Sequence, residues 1–590
     1  MTPYPSVDAR RAALDNRFPE WTARTTAQFL DATLTEFADR PLVLTRERDY
    51  TYRDIAQWSR RLAAGLMALG VQPGDHVAVD MANLPETVAL KFAVARVGAV
   101  SVSINFLLKH EELDYILRQS DATVLITMDR FRSLDYLRGL DMIAPGWDVG
   151  PAGTAGGQTL PALRHIFVHG MAGSTERGRD LRELIELGRD ITDAEVMART
   201  AAVDPDSSSD LLYTSGTTGS PKGAMLRHDS VLRTAYSSVY TRALHDGRRM
   251  LYALPIYHVF GYVEGLIAVL FVGGAICPHA AFDADETLRD VARHGIDEIV
   301  AVPAMTSVLL DQARAGDYDL SSLHVMFSSG SAHAPGMWQD MVQILGVSEL
   351  FTAYGQTETT ASALSVRAGD PRQRLVDTVG TVKLAGAAGD PELGGLLAVY
   401  KVVHTETGAD LPAGGIGELL VRGPAVTLSY YNKPAETAAS FTADGWFRTG
   451  DLGRFDEDGY LRLTGRKKES YRCGGELVLP SEVEQVLTGF AGVLAAHVVG
   501  IPHRRMGEVG CAFLVVAHDR PDPRDVIAYC ASRLARFKVP AKVLFIPADE
   551  LPTTVTGRVR KFELAERAAR ELASPDPSPR PVDAESTAAN

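Results

Sequence analysis

LLYTSGTTGSPKGAML, residues 211–226, joins one apolar run, Leu211 to Tyr213, to another, Ala224 to Leu226. Between them, within ten residues, lie three glycines (Gly216, Gly219, Gly223), five hydroxyls (Thr214, Ser215, Thr217, Thr218, Ser220) and Lys222. Glycine lets successive backbone N–H groups face one anion without a Cβ in the way. Hydroxyls add donors, and lysine adds a point charge suited to phosphate. The string is not a P-loop of the Walker type, because Lys222 is followed by glycine and no GK[ST] occurs. By composition alone it also reads as a Ser/Thr/Gly-rich surface turn.

On either side of this loop, short β-branched runs at 76–82, 122–128, 165–170, 274–278, 298–303 and 324–330 read as buried strands. Helical periods such as 54–69, 86–97 and 284–294 separate them. That alternation predicts crossover units and largely parallel sheets, an α/β fold. The Gly/Pro/Ala-rich segment 144–160 predicts a surface loop. Near residue 470 the character changes. A helix at 480–488, strands at 493–499 and 510–516, a helix at 523–536 and a strand at 542–546 predict a small α+β domain. The expected organisation is a large multi-subdomain body at 1–467, a small domain at 468–566 and a Pro/Ser/Ala-rich disordered tail at 573–590.

The chain has 590 residues, 60 Lys+Arg against 74 Asp+Glu, and a net charge of −14. That balance argues against nucleic acid as the main partner. Four scattered cysteines (Cys277, Cys473, Cys511, Cys530) form no CxxC pair and predict neither a zinc module nor a disulfide framework. The N-terminus shows no apolar signal region. The longest uncharged apolar stretch, from Gly265 to about Pro278 with Glu264 in front, is shorter than the about 20 residues of a membrane span. A cytoplasmic protein is the expectation.

Other strings carry chemistry. In TAYGQTE (352–358) a strand ends in a polar turn, where Glu358 is a hard oxygen ligand of the kind Mg²⁺ accepts beside phosphates and Thr357 is a donor. A Thr-Glu pair also reads as a helix cap. In GWFRTGDLG (445–453) Asp451 reads as a carboxylate in a Gly-bounded turn, able to accept both hydroxyls of a ribose or merely to meet solvent. His258, between apolar residues in LPIYHVFG (254–261), reads as a satisfied core histidine. Cys473 reads as a passive turn residue.

Taken together these strings resemble the ANL superfamily of adenylate-forming enzymes, in its acyl-CoA synthetase (AMP-dependent ligase) branch. The resemblance runs from YTYRDI (50–55) to TGRVRKFEL (556–564). It implies that Thr214, Ser215, Gly216, Thr217, Thr218, Gly219 and Lys222 hold the triphosphate of ATP. Glu358 is implied on Mg²⁺, Thr357 on the α-phosphate and Tyr354 near adenine. Gly330, Ser331 and Ala332 would line adenine and the acyl chain, and His258 and Tyr257 would border the carboxylate pocket. Asp451 and Arg466 would take the ribose. Lys468 matches the hinge about which the family's small domain turns, and Gly474 and Gly475 the turn beside the pantetheine tunnel.

One departure stands out. Where the family carries PxTxxGK, this chain has LPTTVTGRVRKF (551–562), with Arg558 in place of the lysine that reaches carboxylate and α-phosphate as they join. A planar fork is not equivalent to a compact ammonium. The substitution leaves Arg558 to serve in part as the catalytic cation, or Lys561 to reach in from the next turn, or predicts slower adenylation or an atypical nucleophile. The implied activity is acid–CoA ligation: an aryl or medium-chain carboxylic acid and MgATP give acyl-adenylate and pyrophosphate, and CoA then displaces AMP. Two alternatives stay open. One is an AMP-forming ligase with a non-CoA acceptor or an atypical acid, including amide formation or nitrite activation. The other is a nucleotide-binding scaffold with little turnover. Only a short tail follows the small domain, so a peptide-synthetase module is not expected.

Overall fold

The computed structural model describes residues 4–150, 153–175, 177–214, 221–331, 333–334, 336–474, 476–503, 505–517, 520–554 and 559–573. The chain divides into two compact units, 1–449 with 454–463, and 450–453 with 464–590.

Two seven-stranded sheets form the frame of the first unit. One runs Glu349–Phe351, Val325–Ser328, Glu298–Ala301, Arg249–Tyr252, Ala275–Pro278 and Pro41–Val43, all parallel, with Tyr50–Thr51 antiparallel at its edge. The other runs Lys222–Arg227, Ser208–Thr214, Val100–Ser103, His76–Asp80, Val124–Met128, His165–His169 and Arg179–Asp180, parallel except for the first pair. The strands read from apolar runs all form, and crossover helices separate them, as parallel pairing requires. A three-stranded antiparallel sheet, Ala353–Gln356, Ala361–Ser365 and Thr381–Val382, follows the last crossover.

Local signals set the helix limits. Thr51 and Asp54 form a capping box before the helix Tyr52–Ala68. Pro85 opens Pro85–Val97, and Gly98, at φ 78°, closes it. That second helix is buried from Thr87 to Val97, including Lys91 and Arg96. Its charges are satisfied internally: Lys91 pairs with Asp210, and Arg96 Nη1 with Asp31 Oδ2 at 2.6 Å.

Three readings need correction. The described residues of the Gly-rich segment 144–160 form no helix or strand, yet Ala144, Trp147 and Leu160 are buried in a core cluster, so the loop is anchored rather than lying wholly on the surface. Asp451 lies in the strand Phe447–Phe455, not in a turn: Gly450 takes a left-handed φ of 71° within the strand, and tertiary pairing overrides the turn propensity of the TGD string. Cys473 is buried at the end of the strand Tyr471–Cys473 and is not a turn residue.

The second unit holds a five-stranded sheet around the long hairpin Val493–His503 and Gly507–Val516, whose strands are longer than their apolar cores suggested. Helix Pro480–Thr488 has the expected limits, whereas the next helix stops at Ala531, before the short 3₁₀ turn Arg536–Lys538. The helix Lys561–Ala573 follows and includes the first residue of the tail read as disordered at 573–590, whose remainder, 574–590, lies outside the described residues. Among the described residues no helix is long and apolar enough to cross a membrane.

Candidate active site

Parallel strands leave their C-terminal ends on one edge of a sheet, where ligands of open α/β folds bind. From that edge of the first sheet emerge the segments 253–258, 302–306, 329–331 and 352–358, which carry three of the predicted groups: Tyr257 with His258, Gly330 with Ser331, and Tyr354 with Thr357 and Glu358. Side chains lock these loops together. Ser329 Oγ donates to Ala353 O at 2.7 Å and accepts from Ala353 N at 3.2 Å. His333 Nε2 lies 2.9 Å from Ser328 Oγ, which lies 2.9 Å from Thr306 Oγ1. The rings of Phe260 and Phe327 meet edge to face at 5.1 Å. Gly330 needs its glycine because its φ of 105° lies in the left-handed region. Gly330 and Ser331 are exposed, and Ala332 lies outside the described residues.

His258 precedes the short helix Val259–Gly261, and its Nδ1 accepts from Phe260 N at 3.2 Å. That bond assigns the proton to Nε2, which leaves an N–H donor. Burial pushes the imidazole down to about 4, so it is neutral at pH 7. Asn83, which the sequence reading missed, shapes the preceding loop: its amide donates to Leu254 O at 2.9 Å and its carbonyl accepts from Ile256 N at 2.8 Å.

The magnesium and phosphate candidates converge from three segments. Lys222 opens the strand Lys222–Arg227, opposite Thr214 in the antiparallel pair. Ser215, Gly216, Thr217, Thr218 and Gly219 lie between these two and outside the described residues. Thr357 and Glu358 form the start of a 3₁₀ turn, Thr357–Thr359, and both are buried. The capping of that turn is done by Gln356 and Thr359, with Gln356 N donating to Thr359 Oγ1 at 3.0 Å, so the Thr-Glu pair is not a helix cap. The segment 427–431 bridges the two: Thr427 N donates to Glu358 O at 2.7 Å, and Tyr431 N to Gly223 O at 2.9 Å. Tyr430 OH donates to Glu358 Oε1 at 2.7 Å, and Lys222 Nζ sits 5.0 Å from the centre of the Tyr430 ring. Burial and the Glu358 charge push the Tyr430 phenol well above its usual range, so it stays a donor. Tyr430 was not singled out from sequence; its only cue is an aromatic pair, Tyr430-Tyr431, in a polar stretch.

Backbone strain collects beside Glu358. Thr360 and Ala361 have φ of 53° and 98°, both left-handed without being glycine. Gly355 lies across from them, where a Cβ would fall 1.9 Å from Ala361 O. The strain is held by Thr360 Oγ1, which donates to Ala425 O at 2.6 Å, and by Glu264, whose Oε1 accepts from Ser362 N at 3.3 Å and from Lys383 Nζ at 2.8 Å. Glu264, seen in sequence only as the flank of an apolar stretch, is fully buried in a π-helical turn, Tyr262–Ile267. Burial would raise its pKa, but Lys383 and Arg242 outweigh that and hold the carboxyl at about 2. Tyr354 is buried in the strand Ala353–Gln356, its ring 6.5 Å from that of Tyr400.

In the second unit, Arg466 Nε pairs with Asp451 Oδ1 at 2.7 Å. Lys468 is exposed in the turn that follows the strand Leu461–Arg466. Gly474 turns the hairpin between Tyr471–Cys473 and Glu476–Val478 at φ 63°, where an added Cβ would meet Met506 Cε at 2.8 Å. Gly475 and Arg558 lie outside the described residues. Lys561 is committed elsewhere, with Glu484 at 2.6 Å and Glu469 at 3.6 Å.

A parallel-sheet body that brings a lysine, a buried carboxylate and a neutral histidine to its loop edge defines a nucleotide-using α/β enzyme. The AMP-binding enzyme model matches residues 30–431 and the AMP-binding enzyme C-terminal domain model residues 482–558. The chain belongs to the AMP-binding enzyme family, within the ANL superfamily, and is an AMP-forming ligase. It is 35% identical to a methyl-dioxo-octahydroindenyl-propanoyl:CoA ligase of Mycobacterium tuberculosis, over 92% of this chain and 99% of that one. It is 33% identical to an indoleacetate–CoA ligase of Aromatoleum aromaticum, over 89% of this chain and 94% of the relative. Among solved structures, the anthranilate CoA ligase AuaEII in complex with anthranoyl-AMP is 27% identical, with a TM-score of 0.78 over 94% of this chain and 98% of that one.

Proposed function

We propose that the chain is an ATP-dependent acid–CoA ligase that activates an aryl or medium-chain carboxylic acid as its acyl-adenylate and transfers the acyl group to CoA. The observation that carries this reading is the convergence of Lys222, Tyr430 and Glu358 beside the loops that bear His258 and Gly330. Relatives that act on ring-bearing acids support the substrate class.

Glu358 suits Mg²⁺ by chemistry: a hard carboxylate, oriented by one phenol donor and otherwise uncommitted to a cation among the contacts described. Bound there, Mg²⁺ would neutralise phosphate charge. Lys222 supplies a fixed cation for the same phosphates, and Thr357 a hydroxyl donor for the α-phosphate. His258 Nε2–H orients the carboxylate of the acid, so that one oxygen faces the α-phosphorus; such positioning and charge stabilisation are the main contributions a protein makes to phosphoryl and nucleotidyl transfer. The apolar walls at Tyr257, Phe260 and Val302 exclude water from the mixed anhydride. Asp451 and Arg466 are assigned to the ribose hydroxyls on their chemistry alone. The body at 1–467, the small domain at 468–566 hinged at Lys468, the Gly474-Gly475 turn beside pantetheine and a cytoplasmic location complete the proposal. Arg558 is assigned the role of the family lysine.

The test incubates the protein with MgATP and a panel of aryl and aliphatic acids, with and without CoA. Thioester and AMP formed only when acid and CoA are both present support the reading; amide or AMP formation that ignores CoA contradicts it.

A further inference from the structure

Away from the nucleotide loops, the strand Ala275–Pro278 and the helix Ala284–His294 place three metal-ligating side chains together. Cys277 Sγ, an Asp290 carboxylate oxygen and a His294 ring nitrogen all lie within 4.8 Å of one another. We propose that Cys277, Asp290 and His294 bind one divalent ion of the zinc type and staple this strand to this helix.

The backbone presents the ligands on facing surfaces. Asp290 and His294 are i and i+4, hence on one side of their helix. Cys277 lies on the helix-facing side of its strand, in the apolar cluster that also contains Leu288 and Val291 of that helix. All three are buried, at 2% exposure for Cys277, 1% for Asp290 and 8% for His294. Among the described residues His294 Nε2 is shielded from solvent with no hydrogen-bond partner, a vacancy that costs free energy unless something fills it. His279 orients this carboxylate: its Nε2 lies 3.0 Å from Asp290 Oδ2, the carboxylate–imidazole pairing that fixes metal ligands in place.

Thiolate, imidazole and carboxylate are the ligand set of tetrahedral zinc, with Zn–S of about 2.3 Å and Zn–N of about 2.0 Å, which puts ligand atoms about 3.5 Å apart. The ligand atoms, now within 4.8 Å of one another, close to that value when the ion binds. Two arginines also reach Asp290: Arg46, through Nε and Nη2 at 3.3 Å, and Arg293, on Oδ1. The Arg293 side chain is 47% exposed and one helical turn away, so it can withdraw into solvent and free Oδ1 for the ion. On binding, the Cys277 thiol releases its proton to solvent, and water completes the fourth position. Cys277 lies on the strand paired with Arg249–Tyr252, which feeds the His258 loop.

The full-length protein, stripped with a chelator, is titrated with Zn²⁺ against a chromophoric competitor, and with Co²⁺ in the spectrophotometer. One tight equivalent is expected, with a thiolate-to-cobalt charge-transfer band and a raised melting temperature. Cys277→Ala and His294→Gln each weaken binding more than 10-fold, and Cys277→Ala abolishes the band; His279→Gln weakens binding about 10-fold. Because the two ligand variants sit on different elements, either one that matches the parent's circular dichroism suffices. No saturable zinc, or zinc bound equally by parent and variants, overturns the proposal.

Discussion

The phenol of Tyr430 donates to the Glu358 carboxylate at 2.7 Å, while its ring lies beneath the Lys222 ammonium at 5.0 Å. One side chain thus orients the anion proposed for magnesium and touches the cation proposed for phosphate. A hydrogen bond to a charged group contributes about 1.5–3 kcal/mol. Tyr430→Phe should therefore lower acid-dependent pyrophosphate exchange about 10-fold or more and raise the Mg²⁺ concentration at half-maximal rate. Unchanged magnesium dependence would show that Tyr430 merely packs.

Asp451 and Arg466 hold each other at 2.7 Å. If they serve the ribose, Asp451→Asn raises the KM for ATP several-fold, and the parent's preference for ATP over its deoxy analogues shrinks in the variant. Equal discrimination in parent and variant would remove Asp451 from the ribose.

Glu264 and Lys383 form a fully buried pair behind the strained Thr360–Ala361 backbone. Removing one partner of such a pair typically costs about 3–5 kcal/mol, because the other charge stays buried. Lys383→Met should lower the denaturation midpoint sharply, and Glu264→Gln on top of it should recover part of the loss. A double variant worse than either single one would contradict a charge-compensation role.

His228 is wholly buried, and burial pushes its imidazole from 6.5 down to about 4. The unfolded chain therefore binds the extra proton first as pH falls. Stability is fully present above about 6.5 and is lost between there and about 4, by on the order of 3 kcal/mol for this one group. Urea midpoints across that window should rise with pH, and His228→Leu should flatten the slope. An unchanged slope would place the acid sensitivity elsewhere.

Much of this was legible in the sequence, for a physical reason. Apolar β-branched runs fully buried in parallel sheets, and helices with Pro, Thr or Asp at their starts, advertise themselves locally, so the strand 298–301 and the helix 284–294 were read nearly to the residue. The string around Lys222 advertised its chemistry by its glycines and hydroxyls. What sequence could not show depends on contacts between distant segments. Tyr430 meets Glu358 across 72 positions, and Glu264 meets Lys383 across 119, so neither has a local cue. Asp451 misled for the complementary reason: a string with turn composition is recruited into a strand by its neighbours. Lys561, offered as a stand-in for the missing lysine, is instead held by Glu484 and Glu469.

On the proposed function, an acyl-adenylate forms before any thiol is needed, on a site organised by Glu358. Acid-dependent exchange of labelled pyrophosphate into ATP, measured without CoA in the parent and in Glu358→Gln, tests it most directly. Exchange is expected to require a carboxylic acid in the parent and to fall at least 100-fold in the variant, the scale of losing one electrostatic contact at a transition state, about 2.7–4 kcal/mol. Exchange absent from the parent for every acid, or equal in parent and variant, would contradict it.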